Sequence, residues 1–138
     1  MTIVCRGVRG ATTVESDTVE AVITATRELL ITIVETNNID PDEVASIFFT
    51  TTVDVASVHP ALAARKLGWF DVPLLCGHEM DVPGSLQKCI RVLFHWNTAK
   101  KPQEIKHIYL KEAIRLRPDK ALKELDHQPA PTGNNHKG

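Results

Sequence analysis

The apolar positions of this chain change their period along its length. Between residues 18 and 37, Val19, Val22, Ile23, Thr26, Leu29, Leu30, Ile33 and Val34 recur at three- and four-residue spacing. That spacing puts them on one stripe of an α-helix, and Asp17 with Glu20 three residues later forms a capping box for its start. Elsewhere the apolar runs are short and rich in β-branched residues. Residues 2–8 read as a strand broken by Gly7 and Gly10. Residues 47–52 read as a second strand and 72–76 as a third, where Pro73 argues for a sheet edge. Residues 85–96 give the longest strand pattern, and 107–110 and 114–116 give two short ones. Asp40 followed by Pro41 starts a short helical turn. His59-Pro60 opens a second short helix over 61–67, closed by Gly68. The sum is an α+β fold, a mixed β-sheet with one long helix on one face. A single helix cannot cover both faces of such a sheet, so the other face calls for the sheet of another subunit.

With 138 residues the chain is sized for one domain. Its expected extent is 1–119. The segment 120–138 loses the apolar pattern and is expected to be a flexible tail. A net charge of -1 leaves no basic footprint for nucleic acid, and no apolar run is long enough to suggest a membrane span. The N-terminus enters strand-like sequence at once, without the charged segment of a signal peptide. Cys5, Cys76 and Cys89 are an odd number with neither disulfide-framework nor zinc spacing. The expectation is a cytoplasmic protein without metal or cofactor.

Within the apolar run 90–96 sits Arg91, and Glu79 precedes it in a Gly/Pro loop. A guanidinium in a buried strand needs a partner that offsets its desolvation. Either Glu79 supplies that as structure, or an anionic ligand does so as function. The chain contains no G-x-S-x-G, Walker A, H-E-x-x-H, C-x-x-C or dinucleotide fingerprint. It does carry further anion-binding groups near strand ends. Arg6 and Arg9 flank Gly7, where small residues let the backbone approach a ligand. Arg65 lies in the short helix, Tyr109 on a late strand, and Arg115 and Arg117 bracket Leu116. Singly, each reads as a solvated or packed residue. Together they read as a site for a small polyanion, able to catalyse a reaction that needs only positioning and electrostatics.

Three linked segments carry a family resemblance. Arg6-Gly-Val-Arg-Gly-Ala-Thr-Thr-Val-Glu15 is the first. Cys76-x-x-Glu79-Met-Asp-Val-x-Gly84 with Lys88-Cys-Ile-Arg-Val92 is the second, and His107-Ile-Tyr-Leu110 with Leu116-Arg-Pro-Asp119 the third. In this order they resemble the AroH-type monofunctional chorismate mutases up to Asp119. The resemblance implies a homotrimer whose sheets pack into a pseudo-α/β barrel, with active sites in clefts between subunits. It implies the Claisen rearrangement of chorismate to prephenate, on the route to phenylalanine and tyrosine, and no cofactor. By the same resemblance Arg91 faces the ether oxygen and Glu79 the ring hydroxyl. Arg9 and Tyr109 hold the side-chain carboxylate, and Cys76 contacts the hydroxyl region. Arg65 comes from the neighbouring subunit, Arg117 from a closing C-terminal segment, and Ala61 and Leu116 line the cleft. Near the start of the short helix the family carries a phenylalanine and a lysine where this chain has His59 and Leu62. One residue fewer separates Arg65 from Trp69. Two other classes fit the same residues less well: a trimeric imine or enamine deaminase, with Glu79 activating water, and a non-catalytic trimer that senses a carboxylate.

Overall fold

The computed structural model describes residues 1–118, so the whole of the expected tail 120–138 lies outside the described residues. Five strands form one mixed sheet: β1 (Val4–Thr13), β2 (Val44–Thr51), β3 (Leu74–His78), β4 (Cys89–Thr98) and β5 (Ile108–Tyr109). Their order is β3-β2-β4-β1-β5. β4 runs antiparallel to both β1 and β2, while β5 runs parallel to β1 and β3 parallel to β2. The long helix α1 (Val19–Asn37) and the short helix α2 (Ala61–Lys66) complete the layer.

Helix α1 forms where the period requires it. Its N-cap is Thr18, whose Oγ1 accepts the Ala21 N–H at 3.1 Å. Asp17 is therefore not the cap expected from the sequence. Its carboxylate instead accepts the N–H groups of Ala56 and Ser57 at 3.1 and 3.0 Å, tying the helix start to the loop before α2. Those hydrogen bonds hold the Asp17 carboxyl below its ordinary pKa. The helix ends at Asn38 in the left-handed conformation, φ 57°.

Val22, Leu29, Leu30 and Ile33 of α1 are fully buried, as are Val8, Ile47, Ile90 and Phe94 of the sheet. These sheet residues lie at alternate strand positions, so one face of the sheet is the core. Gly10 marks the closest approach of the layers. A Cβ there would meet Ile33 Cδ1 at 2.6 Å and Leu29 Cδ1 at 3.1 Å. That glycine serves helix packing, and β1 runs through both Gly7 and Gly10 without a break.

The opposite face carries Arg9, Ala11, Phe48, Thr50, Leu75, Arg91 and Leu93, as the cross-strand pairs Arg9–Leu93, Ala11–Arg91, Thr50–Arg91 and Phe48–Leu75 require. Phe48 is 46% and Leu75 62% exposed, so the described residues leave this centre bare. Among the described residues, only one corner is covered. The 3-10 segment Lys111–Leu116 packs Ala113 and Leu116 with Ala11, Cys89 and Tyr109.

Three further expectations change. The run 90–96 is not a strand buried on both sides. Its even positions are core, whereas Arg91 is exposed. The strand expected to start at 85 starts at Cys89, because Lys88 adopts φ 53° and its N–H bonds to the Asp54 carboxylate at 3.0 Å. Residues 114–116 belong to the 3-10 segment and not to a strand. The edge position expected from Pro73 holds: β3 is outermost, and the Pro73 carbonyl accepts Ile47 N–H just before the strand begins.

Candidate active site

Four of the singled-out residues converge on the face that α1 leaves open. Arg9 on β1, Arg91 on β4 and Tyr109 on β5 line one cavity of about 270 Å³ with Glu79, which follows β3. Arg9 and Arg91 arrive on the same face because Arg9 pairs with Leu93 and Arg91 with Ala11, two steps along one antiparallel ladder. Glu79 is brought in by the backbone: its N–H donates to the Thr51 carbonyl at 2.8 Å after β3 ends.

The ion pair at the centre is loose. Arg91 Nε lies 3.9 Å from Glu79 Oε2, with the side chains 46% and 30% exposed. A bidentate arginine–carboxylate pair would close to about 2.8 Å. The same Glu79 oxygen accepts the Thr50 hydroxyl in a short hydrogen bond. Glu79 therefore does not consume the Arg91 charge. Two positions before Arg91, burial pushes the Cys89 thiol up, and the neighbouring Arg91 pulls it partly back.

Thr50 was not singled out in the sequence. It sits directly across from Arg91 in the β2–β4 register, a relationship over 41 positions that no local spacing reveals. His107 is a second residue gained here: its Nδ1 accepts the Arg9 backbone N–H at 3.0 Å.

The remaining candidates divide. Leu116 is half-buried in the cluster with Tyr109, and half-buried Arg117 ends that segment with its N–H on the Ile114 carbonyl. Cys76, Ala61 and Arg65 do not join the cavity. Cys76 pairs with Phe49 and so points to the core side of the sheet, one strand position out of phase with Leu75. It lines a different cavity of about 390 Å³ with Thr51, Ser57, His59, Pro60 and His78. Burial raises the Cys76 thiol, and a hydrogen bond from the Ala61 backbone offsets part of that rise. Arg65 donates to the carbonyls of Trp69 and Phe70 at 2.8 and 2.7 Å, closing the turn after α2. Arg6 donates to the Lys100 carbonyl and lies away from the cavity.

Among the described residues no cluster of three or more His, Cys, Asp and Glu side chains could hold a metal ion, and no helix is long and apolar enough to cross a membrane. What the cavity offers is two guanidiniums, one carboxylate and one phenol around a small volume. Such a set can bind carboxylates, accept a hydrogen bond from a hydroxyl and stabilise a developing negative charge.

Comparison with known proteins identifies the family. The family model "Chorismate mutase type I" matches residues 5–120. The chain is 53% identical over 115 residues to the chorismate mutase AroH of Thermus thermophilus, covering 83% of this chain and 94% of that protein. It is 46% identical over 118 residues to the AroH of Bacillus subtilis (strain 168), covering 85% and 93%. A solved chorismate mutase from Clostridium thermocellum superposes with a TM-score of 0.78 at 46% identity, over 79% of this chain and 97% of that one. On its sequence and its fold, the chain belongs to the type I chorismate mutase family.

Proposed function

We propose that this chorismate mutase converts chorismate to prephenate by holding the substrate folded and stabilising charge on its breaking ether bond. The observation that carries this reading is the loose Arg91–Glu79 pair in one cavity with Arg9 and Tyr109. The rearrangement is unimolecular. It needs no nucleophile, and the raised Cys76 thiol is poorly suited to be one.

In this mechanism Arg91 faces the ether oxygen. Negative charge grows there as the C–O bond breaks, so a fixed cation stabilises the transition state more than the ground state. Glu79, held by Thr50, accepts a hydrogen bond from the ring hydroxyl. Arg9 and Tyr109 bind the side-chain carboxylate in the compact conformer from which the new C–C bond forms.

The working form is a homotrimer with each site at a subunit interface. The bare centre of the sheet around Phe48 and Leu75 supports this, as does the division of the candidates between two faces of one chain. Each cleft joins the Arg9–Glu79–Arg91–Tyr109 half of one subunit to the Ala61–Arg65–Cys76 half of its neighbour, with Leu116 and Arg117 closing over it. Complementation tests this directly. Arg91→Ala and Arg65→Ala should each be impaired alone, and co-refolded mixtures should regain activity, because some clefts then combine two intact halves. Mixtures no more active than their components would reject the shared site, as would a monomer in light scattering.

A further inference from the structure

We infer that His107 is a positioning residue for the reaction: by accepting the Arg9 backbone N–H, its ring locks the strand bearing Tyr109 to the strand bearing Arg9. The inference rests on the site reading above and adds to it a residue that touches no substrate.

β5 is two residues long and sits at the sheet edge, so its ladder alone holds it weakly. Its pairs are Gly10–Ile108 and Ala11–Tyr109, continued by Leu110 N–H to the Ala11 carbonyl at 2.9 Å. In that parallel register, the next acceptor in line for the Arg9 N–H is the Lys106 carbonyl. Asn37 Nδ2 occupies that carbonyl at 2.8 Å. The paired ladder does not reach Arg9. His107 Nδ1 takes the place of the missing carbonyl at 3.0 Å and extends the pairing by one bond. Asn37 fixes the other side of the junction, since its Oδ1 accepts Lys106 N–H at 2.8 Å.

This arrangement requires a neutral ring with its proton on Nε2. Protonation puts a hydrogen on Nδ1, where it opposes the Arg9 N–H, and the bond is lost. Arg9 on β1 is the charged group that bears on the ring. α1 meets this stretch through neutral Asn37. The 3-10 segment carries Lys111, Glu112 and Arg115, of which Lys111 pairs with Glu28 of α1 at 3.6 Å. Burial and the Arg9 charge both hold the His107 pKa below its ordinary 6.5. The neutral form is thus the working form at neutral pH, and the bond is lost only as pH falls through that lowered pKa.

The test is KM and kcat against pH for wild type, His107→Leu and His107→Asn. Asparagine presents Oδ1 close to where the imidazole presents Nδ1, but it does not titrate. Because Arg9 and Tyr109 bind substrate and transition state alike, His107→Leu should raise KM about tenfold with kcat within about threefold. His107→Asn should stay within about threefold of wild-type KM and lack the wild-type rise in KM on the acid side. The proposal is overturned by a wild-type KM in His107→Leu, by equal impairment in both variants, or by an acid-side rise that persists in His107→Asn. Should neither variant fold, ¹⁵N NMR of the wild-type ring decides it: an unprotonated Nδ1 at neutral pH agrees, and a protonated one refutes it. A wild type without mutase turnover would reject the functional reading itself, whereas turnover indifferent to His107 rejects only this proposal.

Discussion

Arg91 Nε and Glu79 Oε2 stand 3.9 Å apart across the open face of the sheet, paired in charge but not in direct hydrogen-bond contact. Thr50, opposite Arg91 on β2, donates its hydroxyl to that same oxygen. Thr50 thus anchors the carboxylate at a distance that leaves the guanidinium to a ligand. In Thr50→Val the carboxylate is free to close on Arg91 and neutralise it. We expect kcat/KM to fall about tenfold while the denaturation midpoint changes little, since only one half-exposed hydrogen bond is lost. Unchanged kinetics would mean that Thr50 is a bystander.

Leu62 is a second lever on the same chemistry. It lies on α2, 38% exposed, at a position where the family resemblance implies a lysine. A cation at the mouth of a cleft concentrates a dianion without touching its transition state. Leu62→Lys should therefore lower KM several-fold and leave kcat alone, most clearly at low ionic strength. A KM unaffected by both the substitution and salt would place Leu62 away from the substrate's path.

Gly10 and Gly7 have unequal roles on β1. A methyl group at Gly10 collides with Ile33, Leu29 and Val92, whereas at Gly7 it makes ordinary contact with Leu93 at 3.4 Å. Gly10→Ala should cost about 1–3 kcal/mol in denaturant unfolding through overpacking, and Gly7→Ala close to nothing. Equal effects would show that backbone freedom, and not the fit of the helix, governs both sites.

Thr12 offers a gain. It is fully buried, and its Oγ1 has no hydrogen-bond partner among the described residues. Valine keeps the branched shape and removes the polar atom, so Thr12→Val should stabilise the fold by about 1 kcal/mol. A lower melting temperature would show that the hydroxyl is satisfied in solution.

The parts that were legible in the sequence are those set by local spacing. The α1 stripe, the Pro41 turn, the short helix that stops before Gly68 and the edge strand after Pro73 all follow from residues within a few positions of one another. So does the proximity of Arg91 and Glu79, which a single loop connects. What could not be read depends on register between distant strands. Cys76 and Glu79 are three residues apart, yet one turns to the core side and the other to the open side. That parity is fixed by pairing β3 against Phe49 and Thr51. Asp17 resembles a cap by spacing, but the Ala56 and Ser57 amides claim it, and Thr18 caps instead. Thr50 enters the site only through its cross-strand neighbour, so no motif announced it, and His107, although it stands in the His107-Ile-Tyr-Leu110 segment, owes its contact with Arg9 to the same kind of pairing.

The central claim is that the Arg91 charge drives the rearrangement from the open face of a sheet that does not need it for folding. The direct test is the disappearance of chorismate absorbance with purified wild type and Arg91→Ala at equal concentration, with unfolding followed in parallel. Wild type should form prephenate. The variant should keep the wild-type melting profile and lose at least about 10²–10³-fold in kcat. An active Arg91→Ala, or a wild type no faster than the uncatalysed reaction, would contradict it.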